Sequence, residues 1–189
     1  MGESNTGVTN MLRLFTGIEL PTLVTEDLAM MQGGIMGATW IDPESFHITL
    51  RFIGDIQVGL GREVALALDR MELKPFSITL KGIDVFGGKK PHSIIAHVEE
   101  SAELRRLQQS QERICQMLGL EPEPRKFIPH VTLARLHNAD PQALQRFIES
   151  HALYRSGTIR VERFVLFSSR PSRGGGPYAV EEIYGMVGA

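Results

Sequence analysis

Two short stretches of the chain carry the same pattern of histidine, aliphatic residue, threonine, aliphatic residue: His47-Ile48-Thr49-Leu50 and His130-Val131-Thr132-Leu133. The chain has 6 histidines in 189 residues, and at that frequency chance supplies only about 0.06 such tetrads. The pattern suits a strand, where side chains two apart share a face. Each tetrad then projects an imidazole beside a hydroxyl, while its aliphatic residues anchor the strand in the core. Imidazole gives or takes a proton near pH 7, and a hydroxyl donates a hydrogen bond to a phosphoryl oxygen. With the two strands side by side, one imidazole can deprotonate a nucleophile while the other protonates a leaving oxygen, which cleaves a phosphoester without a metal. A single histidine on the polar face of a strand reads as a solvated residue; the repetition is what points to chemistry. Histidine pairs also ligate metals, but no H-E-x-x-H, D-x-D or cysteine cluster supplies further ligands at a recognisable spacing, so neither a metal nor a cofactor is expected.

The tetrads need strands to hold them. Alternation in "FHITLRFIGDI" predicts a strand with Ile48, Leu50 and Phe52 on one face and His47, Thr49 and Arg51 on the other. "KFIPHVTLARL", 126 to 136, has the same character. Further strands are expected at 13–20, ending at Pro21, at 75–86 and at 93–99. Two more, "TIRVERFVLFSSR" and "YAVEEIYGM", flank "PSRGGGP", which has the composition of a mobile loop. Helices are expected from about Thr25 to Gln32 before Gly33 and Gly34, and over "REVALALDRMEL". Another runs from Ser101 to Leu118 with Gly119 as its stop, and a last one follows the Asp140-Pro141 cap through Ser150. Strands that alternate in this way belong to sheets with one solvated face, so an antiparallel α+β fold is favoured over a buried parallel one.

Size and charge set further bounds. A chain of 189 residues, 42% of them hydrophobic, can bury a real core and is expected to form one compact unit, residues 12 to 189, behind a flexible leader, residues 1 to 11. A net charge of -2 gives no global basic field and excludes a protein that coats long nucleic acid by counterion release, so an anionic substrate must be held locally. One cysteine, Cys115, rules out an intramolecular disulfide and reads as a small side chain in a helix. Gly2 and Thr6 fit a loose myristoylation pattern, for which a polar leader is the plainer account. No apolar run approaches the roughly 18 residues of a membrane span and the start lacks the apolar centre of a secretory signal, so a cytoplasmic protein without membrane contact is expected.

With "RLFTGIELP" near the start, "HITLRFIGD" around the first tetrad and "FIPHVTLAR" around the second, the chain resembles the 2H phosphoesterase superfamily over roughly residues 12 to 184. Within it, the likeness is to the bacterial and archaeal RNA 2′,3′-cyclic phosphodiesterases, also called 2′-5′ RNA ligases. The resemblance implies a bilobal α+β fold in which two pseudo-symmetric antiparallel sheets face a central cleft with helices outside. It also implies metal-independent hydrolysis of an RNA 2′,3′-cyclic phosphate end to a 2′-phosphate. His47 would be the general acid that protonates the departing O3′, and His130 the general base that activates water. Thr49 and Thr132 would bind the non-bridging oxygens and Arg135 would grip the phosphate.

Arg135 conflicts with strict alternation, which places Thr132 and Ala134 on the face of His130 and Arg135 on the other; it reaches the cleft only if the strand ends or bulges after Leu133. Arg51, on the face of His47, is either a cleft charge or a solvated one. A surface role is expected for His97, with His92 beside the same strand, and His137 and His151 look incidental. Phe46 and Phe127 read as core before base platforms, Trp40 as core or inter-lobe, and Lys89 and Lys90 as a solvated turn. A monomer acting on RNA with a cyclic phosphate end, or on a cyclic nucleotide, is expected. The same motifs would serve a phosphoesterase acting on 2′-5′ linked oligonucleotides or another cyclic nucleotide phosphate, or a non-catalytic module that holds RNA ends.

Overall fold

The computed structural model describes residues 11–169 and 178–188; the expected leader, apart from Met11, and the expected mobile loop "PSRGGGP" lie outside them. The expected α+β fold is found. Ten strands run in chain order as β1 (Met11–Glu19), β2 (Ala38–Trp40), β3 (His47–Gln57), β4 (Phe76–Ile78), β5 (Leu80–Phe86), β6 (Ser93–Val98), β7 (His130–Leu136), β8 (Ile159–Val161), β9 (Arg163–Ser169) and β10 (Tyr178–Gly185). Four helices, α1 (Thr22–Ala29), α2 (Val58–Asp69), α3 (Ala102–Met117) and α4 (Pro141–His151), connect them. None is long and apolar enough to cross a membrane.

Local chemistry accounts for the helix starts. Ser101 accepts the Leu104 N–H at 3.2 Å, and Asp140 accepts the N–H groups of Gln142 and Ala143 at 3.2 and 3.3 Å with Pro141 in the first turn. α1 begins three residues before the expected Thr25, because Pro21 caps it and loses nothing by lacking an N–H there. α2 likewise starts at Val58 rather than Arg62, as β3 runs directly into it. Two expected strands each break in two. At the breaks, the Thr79 carbonyl accepts from Glu99 N–H and the Glu162 carbonyl from Met186 N–H, both at 2.8 Å. The outer pieces β4 and β8 then pair with each other as a separate two-stranded sheet.

The main sheet runs β10-β9-β1-β3-β7-β6-β5, with β2 also on β7. It is two antiparallel halves, one built on β3 and one on β7, joined at a single residue pair, Ile48 opposite Val131. Both of these side chains are fully buried at 0% exposure. α2 and α3 pack against β3, and α4 against β5; the aliphatic residues of both tetrads are buried in the core, and the histidines lie on the opposite face.

Each tetrad ends in a bulge at the same place. Gly17 pairs with Thr49 but Thr16 pairs with Arg51, so Leu50 is the extra residue of β3. Ile95 pairs with Thr132 but Ile94 pairs with Ala134, so Leu133 is the extra residue of β7. A bulge inserts one residue into a period of two, so every side chain beyond it changes face. This overturns the expected alternation of β3 past Leu50. Arg51 turns to the helix side and Phe52 to the cleft, as Ala134 and Arg135 do on β7. The bulge that Arg135 required is present.

Candidate active site

A cavity of about 910 Å³ lies on the histidine face of the seam and draws on both halves of the sheet. His47, Thr49, His130, Thr132 and Arg135 all line it. Extending the register of the Ile48–Val131 pair by one residue each way sets His47 opposite Thr132 and Thr49 opposite His130. The four side chains therefore make a square with the histidines on one diagonal, and diagonal neighbours across an antiparallel pair sit about 7–8 Å apart at Cα.

The two imidazoles are wired alike. His47 Nδ1 donates to the Ser45 carbonyl at 2.8 Å, and His130 Nδ1 donates to the Ile128 carbonyl at 2.7 Å. A carbonyl can only accept, so Nδ1 carries the proton in both rings and each Nε2 is left to exchange protons. His47 Nε2 meets the Thr49 hydroxyl at 3.0 Å, which donates to a neutral ring and accepts from a protonated one. The surroundings differ more. His47 sits among Phe15, Phe167 and Tyr178, with ring centroids at 4.9, 5.8 and 5.1 Å, whereas His130 meets the edge of Phe86 at 4.7 Å.

Burial is the largest influence on both rings and pushes their pKa values below the ordinary imidazole range, against the carbonyl bonds that raise them. Positive neighbours act in the same direction as burial: His130 and Arg135 on His47, and Arg135 and His97 on His130. Arg13, Arg125, Lys126 and Arg135 share the cavity wall with one carboxylate, Glu123, so a chain of net charge -2 presents a locally cationic cleft. Among the described residues, no three or more His, Cys, Asp or Glu side chains gather as a metal site.

Arg51 is neither of the things expected of it. It is 5% exposed, with Nε 2.5 Å from the Glu112 carboxylate on α3. Its two terminal nitrogens donate to the carbonyls of Phe52 and Glu121, each at 2.5 Å. Glu112 in turn accepts the Glu123 N–H at 3.0 Å. The guanidinium thus fastens β3 to the segment between α3 and β7, which carries Arg125, Lys126, Phe127 and the Ile128 carbonyl to the cavity.

Phe46 is core at 4% exposure, while Phe127 lines the cavity as well as packing on the core. Trp40 packs on Phe147, as does His151. His137, Lys89 and Lys90 are exposed, and His92 lines the cavity. His97, for which a surface role was expected, stands directly across from His130 on β6.

Sequence reasoning missed Phe15, Phe52, Tyr178 and Gly17. No local motif marks the first three, since bulges and distant strands bring them to the cavity. Gly17 pairs with Thr49, and a Cβ there would lie 2.9 Å from the Ile48 carbonyl and 3.4 Å from the His47 ring. Gly17→Ala is expected to displace His47 and lower kcat about 10-fold with little change in KM, because small misplacements of a reacting group are costly. Steady-state kinetics on the two proteins checks it; wild-type kcat would contradict the close fit.

The chain matches the LigT like Phosphoesterase family twice, over residues 18–96 and 97–178, one match for each tetrad. An RNA 2′,3′-cyclic phosphodiesterase of Aquifex aeolicus is 34% identical over 156 residues, 79% of this chain and 82% of the relative. One of Aeropyrum pernix is 34% identical over 141 residues, 73% of this chain and 80% of the relative. Among solved structures, a Thermus thermophilus protein superposes with a TM-score of 0.79 at 23% identity, covering 93% of this chain and 98% of that one. Escherichia coli LigT complexed with 3′-AMP gives 0.73 at 20% identity, covering 94% and 99%. At these identities the structures bear on the fold alone.

Proposed function

Because the chain belongs to the LigT like Phosphoesterase family, we propose that it hydrolyses RNA 2′,3′-cyclic phosphate ends to 2′-phosphates, with His47 as general acid and His130 as general base. The curated relatives named RNA 2′,3′-cyclic phosphodiesterase support this substrate. The observation that carries the mechanism is the diagonal pair of imidazoles, each with Nδ1 held by a backbone carbonyl, so that Nε2, which in His47 meets the Thr49 hydroxyl, is the nitrogen left for proton exchange.

A cyclic phosphate seated over the Ile48–Val131 pair has one imidazole on either side of phosphorus. Water enters from the side of His130, whose neutral Nε2 takes its proton as the new P–O bond forms. O3′ departs on the side of His47, whose protonated Nε2 supplies the proton that makes it a hydroxyl. One proton enters the pair and one leaves, so the step ends with His130 protonated and His47 neutral, and proton exchange with water restores the starting state before the next turnover. Negative charge grows on the non-bridging oxygens, where the Thr49 and Thr132 hydroxyls and the Arg135 guanidinium are the donors. The opposite assignment of acid and base would release O2′ or demand the substrate turned end for end.

The chain is further read as one bilobal domain, monomeric and cytoplasmic. Both halves contribute residues to the cleft, a continuous sheet crosses them, and the single cysteine is buried.

Incubation with a 2′,3′-cyclic mononucleotide and a cyclic-ended oligonucleotide in excess chelator should yield the 2′-phosphate, read by chromatography against both isomers. A 3′-phosphate would overturn the assignment of the leaving oxygen. Tight binding without any product would instead favour a module that only holds RNA ends.

A further inference from the structure

The pseudo-symmetry between the two histidines fails one strand further out. On β1 the partner of His47 is Glu19, whose carboxylate is held by Arg163 at 2.9 Å. On β6 the partner of His130 is His97, whose Nε2 lies 3.6 Å from the Asp84 carboxylate of β5. Residues directly opposite in an antiparallel pair share a face, with Cβ atoms about 4.5–5.5 Å apart. Phe86 binds the two rings into one cluster, its edge or face meeting His97 at 6.2 Å and His130 at 4.7 Å.

We propose that His97, held by Asp84, is a positioning residue that keeps His130 in its neutral, proton-accepting form. The Asp84 carboxylate holds the His97 ring in place, and positive charge on that ring disfavours a second proton on the ring opposite. Arg135 from β7 and His47 from β3 face His130 with the same sign, and Lys126 and His92 line the same cavity. Two carboxylates are near: Asp84, which reaches His97, and Glu123 on the cavity wall, which is paired with Arg125. The other half offers His47 no second imidazole, only a carboxylate already paired with a guanidinium. The difference between the halves therefore makes the His130 side the one suited to accept a proton, and His97 supports the pH range in which it does so.

This rests on the acid and base roles given above, and the experiment separates the two. Imidazole titrations of His130 by NMR and pH profiles of kcat/KM are compared for wild type, His97→Gln, His97→Lys and Asp84→Asn. In His97→Gln the His130 titration and the acidic limb of kcat/KM should both move about 0.5 pH unit upward, as expected for loss of a charge some 6 Å away in a largely aqueous field. At a pH on that limb the rate falls about 3-fold. Asp84→Asn, which loosens the His97 ring without removing it, should move both by less than His97→Gln, and His97→Lys, which keeps the charge, should leave both in place.

An unmoved His130 titration in His97→Gln overturns the proposal whatever the rate does. A shift of equal size in His97→Lys overturns it too, since packing and not charge would then be responsible. A moved titration with an unmoved kinetic limb sustains the coupling and removes His130 from the role of base.

Discussion

His47→Ala and His130→Ala are each expected to lower kcat by about 100- to 10,000-fold, the range that a positioned acid or base contributes. kcat and kcat/KM fall together, because each imidazole acts on a proton that moves only as the transition state forms. The double variant is scarcely slower than either single one, as residues that work as a unit are not additive. The pH profiles carry the sign. In the free protein both rings lie below the ordinary imidazole value, first through burial and then through positive neighbours. Catalysis needs one ring protonated and one neutral, so kcat/KM is bell-shaped with its maximum on the acidic side of about 6.5. The two limits belong to the coupled pair. A bound phosphate anion favours the charged form of both rings, and the kcat profile is displaced upward relative to that of kcat/KM. Each alanine variant loses one limb. Near-wild-type turnover in either variant, with folding verified by circular dichroism, contradicts the two-imidazole mechanism.

Arg51→Met destabilises the protein by about 3–5 kcal/mol, the usual result of removing one partner from a buried ion pair. That is a large part of the roughly 5–15 kcal/mol that holds a domain together. Glu112, whose side chain is 16% exposed, is left without its cation, and the carbonyls of Phe52 and Glu121 lose their donors. Urea titration of wild type, Arg51→Met, Glu112→Leu and the double variant measures it. The double variant should recover part of the loss, since it leaves no unpaired charge, although the Phe52 and Glu121 carbonyls and the Glu123 N–H still lack their partners. Where Arg51→Met remains folded, KM should rise, because the segment that brings Lys126 and Phe127 to the cavity is no longer fastened. A loss below about 1 kcal/mol, the scale of a surface pair, would mean that water reaches the guanidinium.

The parts of the site carried by local spacing were legible in the sequence. A period of two predicted that His47 and Thr49 share a face, and likewise His130 and Thr132, and the same period put Ile48 and Val131 in the core. Arg51 and Phe52 were misplaced because alternation carries no mark of an extra residue. Leu50 and Leu133 are ordinary strand leucines, and the bulges are known only from what each strand pairs with. Burial shows the shift, with two consecutive buried residues, Leu50 and Arg51 on β3 and Leu133 and Ala134 on β7. The break after β4 was hidden because 76–81 alternate straight through it, and at both breaks the exchange of partners at Thr79 and Glu162 depends on Glu99 and Met186, which are distant in the chain. That His97 stands across from His130 could not be read from its own segment, because the pairing comes from register alone. The folding rules that failed here are those that require knowledge of a neighbouring strand.

The join between the halves also acts as a gauge. Were β7 to slide by two residues, the faces would be preserved, yet Pro129 would take the place of Val131 and His47 and His130 would stand directly opposed at about 5 Å. Imidazoles that close could share a proton with each other but could not admit a tetrahedral phosphate between them. The length of the jaw is thus written in one backbone pairing, and whatever pins Ile48 to Val131 selects the size of the reacting group.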